Sequence, residues 1–312
     1  MNVVIKEQPQ DWRVHECTAV EFDGRRNHIY FHVEKTGLNT LSVVRELAEQ
    51  TGAQRHEIGY AGRKDKHGVT RQWFSVPAEC ADEWPQIDGT RCLDSRYHGR
   101  KLRIGELAGN TFEITLKHCV GLEQRAEESL SEGFVNLFGP QRFASENLAK
   151  AREWLLERHG DDRRDNRLDN RRGGHRRRRR RVADGWHLSV LRSFLFNEVA
   201  LYRMRQAGLP GVMDGDHLLG GYPTAPLWGR GRSLTRGAAL ELEAEALQPH
   251  EEICAALEFT GLRQDRRQLY VKPRQVSLRC LEQDVWLLSF ALPAGSYATS
   301  CLDQHFCVRD AS

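Results

Sequence analysis

The stretch GYAGRKDKHGVTRQWFSV, residues 59–76, combines a dense cluster of charged side chains with a strand pattern that follows it directly. A single carboxylate, Asp65, lies in its middle. The basic or potentially basic neighbours of this carboxylate are Arg63, Lys64, Lys66 and His67. Gly62 and Gly68 bracket the group, as is typical of a tight loop. The run QWFSV, 72–76, predicts a strand, so the charges are expected on a loop that leads into a sheet.

The chemistry of this loop has two explanations. A carboxylate among cations is held in its ionised form, and an ionised carboxylate can act as a nucleophile or a base. The surrounding cations would suit a polyanionic substrate. The alternative is a charged surface loop whose ion pairs contribute only ~0–1 kcal/mol each. On residue types alone, the charged loop is the commoner of the two.

Periodicity in the rest of the chain predicts an alternating arrangement of strands and helices. IYFHVE, 29–34, alternates as a half-buried strand does, and in TFEITL, 111–116, every second residue is apolar. From 39 to 50 a helix is predicted that ends before Gly52. Its expected apolar face consists of Leu41, Val44 and Leu47.

Further helices are predicted at 121–132, 145–158 with Ser145 as N-cap, about 187–207, 237–248 and 249–259. The buried stripe of the helix near 187–207 is expected at Leu188, Leu191, Leu195 and Tyr202. Residues 208–237, rich in glycine and proline, are expected to be mostly loops. Strand-like runs close the chain near 269–272, 276–281 and 284–291. Strands at both ends with helices between them indicate a mixed α+β fold.

Composition narrows the functional class. The chain has 312 residues, of which 39% are hydrophobic and 29% charged. No run approaches the ~18 apolar residues of a membrane span, and the N-terminal residues do not resemble a secretory signal. Eight cysteines occur without a CxxC pair, so reduced thiols and a cytoplasmic protein are expected. Since the histidines show no metal-binding spacing, no metal is expected.

Charge is concentrated in one segment. Residues 161–181, DDRRDNRLDNRRGGHRRRRRR, contain eleven arginines and four aspartates, a local net charge of +7 within a chain of +3. Such a run is either a flexible surface loop without a specific partner or a contact to the phosphate backbone of a nucleic acid. Composition does not decide between these two.

Six blocks in order resemble one family. The stretch AGRKDKHGVTRQW resembles the signature of the tRNA pseudouridine synthase D family around its catalytic aspartate. The other blocks similar to that family are KEQPQDWRVHE at 6–16, RKLRIGELAGNTFEITL at 100–116, FVNLFGPQRF at 134–143, SFLFNEV at 193–199 and LPAGSYATS at 292–300. A single block would be weak, but the ordered set spanning 6–300 is highly specific.

The resemblance implies isomerisation of uridine, typically U13 of certain tRNAs, to pseudouridine. It assigns Asp65 as the catalytic residue, and detaching, rotating and rejoining uracil calls for no metal or small-molecule cofactor. The substrate-binding residues expected on the same basis are Lys6, Trp12, Asn136, Phe138 and Tyr297. The three rings among them are expected to stack on the flipped-out base, and the Asn136 amide to bind its Watson–Crick edge.

The implied architecture is an α+β pseudouridine synthase core with a mixed or antiparallel sheet and a smaller inserted domain. We expect the core at 1–181, including the Arg-rich loop, the inserted domain at 182–272, and a C-terminal segment at 273–312 that completes the core. The expected partner is tRNA, for a monomer that binds no membrane. A non-catalytic RNA-binding protein on the same scaffold is the alternative, and a phosphate-handling hydrolase is a weaker third reading.

Overall fold

The computed structural model describes residues 2–119, 121, 125–139, 142–143, 146–165 and 174–312, with 125, 159–165 and 174–184 described as backbone only. Contacts divide the chain into two compact units. The first unit comprises Met1–Gly133 together with Lys272–Ser312, and the second is Phe134–Val271. No helix in the described part of the chain combines the length and apolar character that crossing a bilayer requires.

The helices are α1 Thr40–Thr51, α2 Arg125–Glu132, α3 Asn147–Asp165, α4 Gly174–Gln206, α5 Gly237–Leu247, α6 Glu251–Glu258 and α7 Ala298–His305. The strands are β1 Asn2–Ile5, β2 Trp12–Thr18, β3 His28–Thr36, β4 Gly59–Tyr60, β5 Val69–Pro77, β6 Thr90–His98, β7 Leu107–Leu116, β8 Phe134–Val135, β9 Leu218–Leu219, β10 Tyr222–Leu227, β11 Asp265–Gln268, β12 Tyr270–Val271, β13 Arg274–Glu282, β14 Val285–Pro293 and β15 Cys307–Asp310.

An eight-stranded mixed sheet forms the first unit. Its order is β13-β14-β7-β2-β5-β3-β6, with β4 also paired to β5. The β2–β5 pair is parallel and the other pairs are antiparallel. Strands β13 and β14, from the C-terminal part of the chain, therefore extend the sheet begun by the N-terminal strands. The predicted α+β class with a mixed sheet is confirmed.

Helix α1 packs on one face of this sheet through an apolar stripe. Asn39 caps its N-terminus by accepting from the Ser42 amide, and Gly52 ends it in the left-handed region. The prediction for Leu41 is wrong, because Leu41 is 45% exposed while Val43, Val44 and Leu47 are buried. Thr40 takes the inner position instead, where its hydroxyl bonds to the side chain of Gln72.

The sheet face that α1 covers is apolar at one end of its strands and polar at the other. The cross-strand pairs of β3 and β5 on this face are Ile29–Val76, Phe31–Phe74, Val33–Gln72 and Lys35–Thr70. All eight residues are buried. The apolar core thus gives way to a buried polar end beside residues 61–68, which we call the Asp65 loop.

The second unit has its own core around α4. Leu188, Leu191 and Leu195 are buried, as predicted, and Tyr202 packs against the same cluster. A three-stranded antiparallel sheet, β11-β10-β9, and a pair, β12-β8, complete the unit. Its interior also holds two ion pairs, Arg203–Asp216 and Arg266–Glu243, each at 2.6 Å.

The segment 208–237 is mostly loop, as predicted, and its strands are the short β9 and β10. Two other predictions fall on or beside residues that the structure does not describe. The predicted Arg-rich loop is helical at 161–165 and 174–181, in line with the good helix propensity of arginine, whereas 166–173 lie outside the described residues. Ser145, the predicted N-cap, also lies outside them.

The predicted functional domains 1–181, 182–272 and 273–312 stay a prediction. The compact units change at Gly133 and at Lys272, and residue 182 lies within α4.

Candidate active site

The Asp65 loop joins β4 to β5 and is anchored by buried polar groups. The Gln72 side chain donates to the Gly62 carbonyl at 3.2 Å, and the Lys64 amide donates to the Thr40 hydroxyl at 2.9 Å. Lys35 Nζ donates to the Asp65 carbonyl at 2.9 Å. Buried side chains therefore hold the backbone of the loop in place, while the side chain of Asp65 is exposed.

The cations predicted around Asp65 have different roles. Arg63, Lys66 and His67 are exposed on the same loop as Asp65. Lys64 points inward instead and pairs with the buried Glu16 at 2.6 Å. The sequence signal grouped these residues correctly as neighbours, but only the exposed ones are accessible to a polyanion.

Trp12 contacts Asp65 directly. Its indole Nε1 donates to Asp65 Oδ2 at 3.2 Å, and the ring is 1% exposed. Gly68 makes this approach possible, because a Cβ atom there would lie 2.6 Å from the Trp12 carbonyl oxygen and 2.9 Å from its ring. A base can stack on this ring only after a covering group moves.

One group near the Trp12 ring is Lys6. Its Nζ lies 4.6 Å from the ring centroid and pairs with Asp310 Oδ2 at 2.7 Å. This pair ties the N-terminal segment to β15, beside the parallel β1–β15 pairing. Lys6 is buried and neutralised by Asp310, so its contact with a substrate stays a prediction.

Tyr297 lies in the same unit as Asp65, Trp12 and Lys6. It immediately precedes α7 as its N-cap residue, with its carbonyl accepting from the Cys301 amide at 3.2 Å. Its side chain is half-buried.

Asn136 and Phe138 belong to the second unit, where Arg267 holds both. The Arg267 guanidinium donates to Asn136 Oδ1 at 2.7 Å and to its carbonyl at 3.0 Å. It also lies 4.0 Å from the centroid of the Phe138 ring. The Asn136 amide donates to the Gln268 carbonyl at 3.0 Å. One cation therefore sets the orientation of both predicted substrate-binding side chains.

Asn197 fixes the backbone of Phe138. Its Oδ1 accepts from the Phe138 amide and its Nδ2 donates to the Phe138 carbonyl, both at 2.9 Å. The side-chain amide of Asn197 thus makes the same pair of hydrogen bonds to the Phe138 main chain that a neighbouring strand would make. This links the block SFLFNEV to the block FVNLFGPQRF, although they lie about 60 residues apart.

Three residues of these sites were missed by the sequence predictions: Lys35, Asn197 and Arg267. A signal existed for Lys35, because it continues the inward series Ile29, Phe31 and Val33 of a strand that was predicted only to residue 34. Asn197 lies in a quoted block, but its partner is distant in sequence. Nothing in the sequence marks Arg267 among its arginine neighbours.

The described residues contain no group of three or more His, Cys, Asp or Glu side chains arranged to hold a metal ion. The eight cysteines are all free thiols.

Comparison with known proteins gives concordant results. The family model of tRNA pseudouridine synthase D matches residues 1–152. The tRNA pseudouridine synthase D of Aeromonas salmonicida is 34% identical over 95% of this chain and 88% of the relative, and that of Cellvibrio japonicus is 36% identical over 94% and 86%. A crystal structure assigned to tRNA pseudouridine synthase D of Methanosarcina mazei matches with a TM-score of 0.62 at 18% identity, covering 97% of this chain and 93% of that one.

Proposed function

The chain belongs to the tRNA pseudouridine synthase D family, and from this premise we propose that it isomerises a uridine of tRNA, at position 13, with Asp65 as its catalytic residue. The observation that carries the proposal is the state of Asp65: an exposed carboxylate on a loop whose backbone is anchored at Gly62, Lys64 and Asp65. Rigid support beneath an accessible group is what catalysis by positioning requires.

The reaction rearranges bonds without changing composition. The N1–C1′ glycosidic bond breaks, the uracil turns, and C5 forms the new bond to C1′. C5 releases a proton and N1 gains one, so the product is an isomer of the substrate. In this scheme Asp65 supplies a carboxylate, which attacks the sugar or the base or removes a sugar proton.

The contacts around Asp65 support this role. The indole N–H of Trp12 reaches one carboxylate oxygen and leaves the other free of that contact, which would orient the group. Exposed Arg63 and Lys66 on the same loop would bind phosphates of the RNA near the target nucleotide.

Recognition of the uracil is proposed for the other predicted residues on the basis of the resemblance. A base inside folded RNA must leave its stack, which costs a few kcal/mol, and stacking on an aromatic ring offsets ~1–3 kcal/mol. Tyr297 and Phe138 are the proposed rings. The Asn136 amide already uses one donor and one acceptor, and an amide of this type has one more of each for a Watson–Crick edge.

The partner of this activity is tRNA, and the proposed compartment is the cytoplasm. We propose a monomer that uses no small-molecule cofactor. The names of the similar proteins support the tRNA substrate.

The test is mass spectrometry of tRNA after chemical tagging of pseudouridine, because the isomer has the mass of uridine. Wild-type protein is expected to produce one tagged residue at position 13, and none in a tRNA with cytidine there. Asp65→Asn is expected to bind tRNA and form no product. Asp82→Asn, which alters another exposed aspartate of the same unit, serves as the matched control and should be active.

Two outcomes would contradict the proposal. Product from Asp65→Asn at a near-normal rate would remove Asp65 from the mechanism. tRNA binding without product by the wild type would favour the RNA-binding alternative.

A further inference from the structure

Lys35 is a buried cation whose hydrogen bonds go to uncharged groups. It is 1% exposed, and its Nζ donates to the Leu38 carbonyl at 2.6 Å and to the Asp65 carbonyl at 2.9 Å. Burying an ammonium group is costly, and a buried lysine is normally paired with a carboxylate. Lys64 shows that arrangement only one residue from Asp65, with the carboxylate of Glu16 at 2.6 Å.

Lys35 joins two chain segments that meet at the polar end of the core. Leu38 leads into α1, and Asp65 lies at the exposed end of its loop. The position of Lys35 continues the buried series of β3, opposite Thr70. An apolar side chain would therefore fit the pattern of the strand, and the lysine instead supplies hydrogen-bond donors to carbonyls that would otherwise lose them.

We propose that Lys35 is a positioning residue for the reaction: its ammonium group ties the Asp65 carbonyl to the Leu38 carbonyl and so fixes the direction of the Asp65 carboxylate. The inference rests on the proposed role of Asp65. The charge of Lys35 also interacts electrostatically with that carboxylate. Burial lowers the pKa of Lys35 to about 8, while Asp65 raises it and Lys64 lowers it.

The test compares Lys35→Met, which removes the donor, with Lys35→Gln, which keeps an N–H₂ donor on a chain one bond shorter. Lys35→Met is expected to lower kcat about 10²-fold, the effect of a displacement near 1 Å at a reacting group, with KM for tRNA changed less than about threefold. Lys35→Gln should recover part of the lost kcat. Amide hydrogen exchange of Lys35→Met should rise in 61–68 and stay unchanged in β5 and β7.

Lys101→Met is the matched control. Lys101 also donates its Nζ to a main-chain carbonyl in this unit, that of His56 at 2.6 Å, in the segment that precedes the Asp65 loop. Its kcat and the exchange of residues 61–68 should equal those of the wild type.

The inference fails if Lys35→Met retains kcat within about twofold of the wild type, or if exchange rises throughout the unit together with a general loss of stability. Its failure is distinguishable from failure of the proposed function. If Asp65→Asn is inactive and Lys35→Met fully active, the function holds and the role of Lys35 does not. If the wild type forms no pseudouridine, exchange of 61–68 still reports whether Lys35 fixes the loop.

Discussion

The Asp65 loop and the Asn136–Phe138 segment are both short loops that a basic side chain holds in place. In the first loop the basic side chain binds the main chain, and in the second it binds the functional side chains themselves. Lys35 donates to a main-chain carbonyl of Asp65, so the side chain of Asp65 extends to solvent. Arg267 donates to the side-chain oxygen of Asn136 and covers the ring of Phe138, so both functional groups are themselves held. Asn136 is buried, in contrast to Asp65.

This difference agrees with the proposed tasks. A catalytic carboxylate must be accessible to the reacting atoms, and its support has to act through the backbone. A residue that recognises the edge of a base gains selectivity when its amide cannot rotate, because donor and acceptor then occupy fixed positions. In the proposed function, bond making belongs to the Asp65 loop and discrimination to the Asn136–Phe138 segment, and mutations should separate these two roles.

The largest expected effect is that of Asp65→Asn. Removing the reacting carboxylate should lower kcat more than ~10⁴-fold, as loss of a nucleophile or base does in other enzymes, with tRNA affinity retained. Asn136→Ala should instead lower kcat/KM about 10–100-fold for loss of one base contact. Single-turnover rates and filter binding measure both quantities. An equal loss of kcat in the two variants would contradict the proposed division of roles between Asp65 and Asn136.

Lys35 predicts a dependence of stability on pH. The folded-state pKa is lowered to about 8 from 10.5, mainly by burial and with Lys64 in the same direction and Asp65 opposing. Between these values the unfolded chain binds a proton that the folded chain has released, so the unfolding free energy rises with pH. This contribution is complete above pH 10.5 and is lost as pH falls through 8.

The measurement is the difference in unfolding free energy between wild type and Lys35→Met, by denaturant titration at pH 7 and pH 10. Groups common to both proteins cancel in this difference. We expect it to shift by about 2–3 kcal/mol in favour of the wild type at the higher pH, since each pK unit corresponds to ~1.36 kcal/mol. A constant difference would mean that Lys35 is not titrating in this range.

The sequence predicted the strands and helices around these two regions better than it predicted the side chains that hold the two loops in place. Strands β3, β5 and β7 and helix α1 follow from alternation and helical spacing, because burial of one face imposes these periods. Thr40 and Leu41 show where this reasoning ends: hydrogen bonds with Gln72 and Lys64 draw the polar residue inward, and the apolar one remains exposed. Local pattern carries no information about such a partner.

The contact of Arg267 with the Asn136–Phe138 segment was not predictable either, because local pattern carries no information about a partner distant in sequence. Arg267 is about 130 residues from Asn136, and it lies beside Arg266, which binds the buried Glu243 instead. Adjacent residues of a strand point to opposite faces, so two identical side chains have different partners. The pairing of β8 with β12, continued by the hydrogen bond from the Asn136 amide to the Leu269 carbonyl, brings Asn136 beside the end of β11, where Arg267 lies.

Arg267 gives the next smaller effect. Arg267→Lys keeps a positive charge but loses the planar guanidinium, whose Nη2 donates to both oxygens of Asn136, and a compact ammonium stacks less well on Phe138. We expect kcat/KM to fall about tenfold through a higher KM, together with a smaller difference in affinity between tRNA with uridine and tRNA with cytidine at the target position. Steady-state kinetics on the uridine tRNA and filter binding of both tRNAs measure these effects. A loss confined to kcat would place Arg267 with the catalytic group and erase the contrast with Lys35.

The smallest effect is expected for Trp12→Phe, and it tests whether the Asp65 side chain needs direct support as well. The variant loses the 3.2 Å hydrogen bond from the indole to Asp65 Oδ2 and keeps an aromatic ring against Gly68. Because Asp65 is exposed, water can replace the lost donor, which limits the cost to a fraction of the ~1.5–3 kcal/mol of a buried charged hydrogen bond. The resemblance points the same way, since the family pattern has Phe at this position.

We therefore expect the kcat of Trp12→Phe to fall no more than about threefold. The control is Trp84→Phe, because Trp84 is another tryptophan of this unit whose indole N–H donates a hydrogen bond, in this case to the Thr90 hydroxyl. A fall approaching that of Asp65→Asn would show that the carboxylate is oriented mainly through its own side chain, and the support through the backbone by Lys35 would then be secondary.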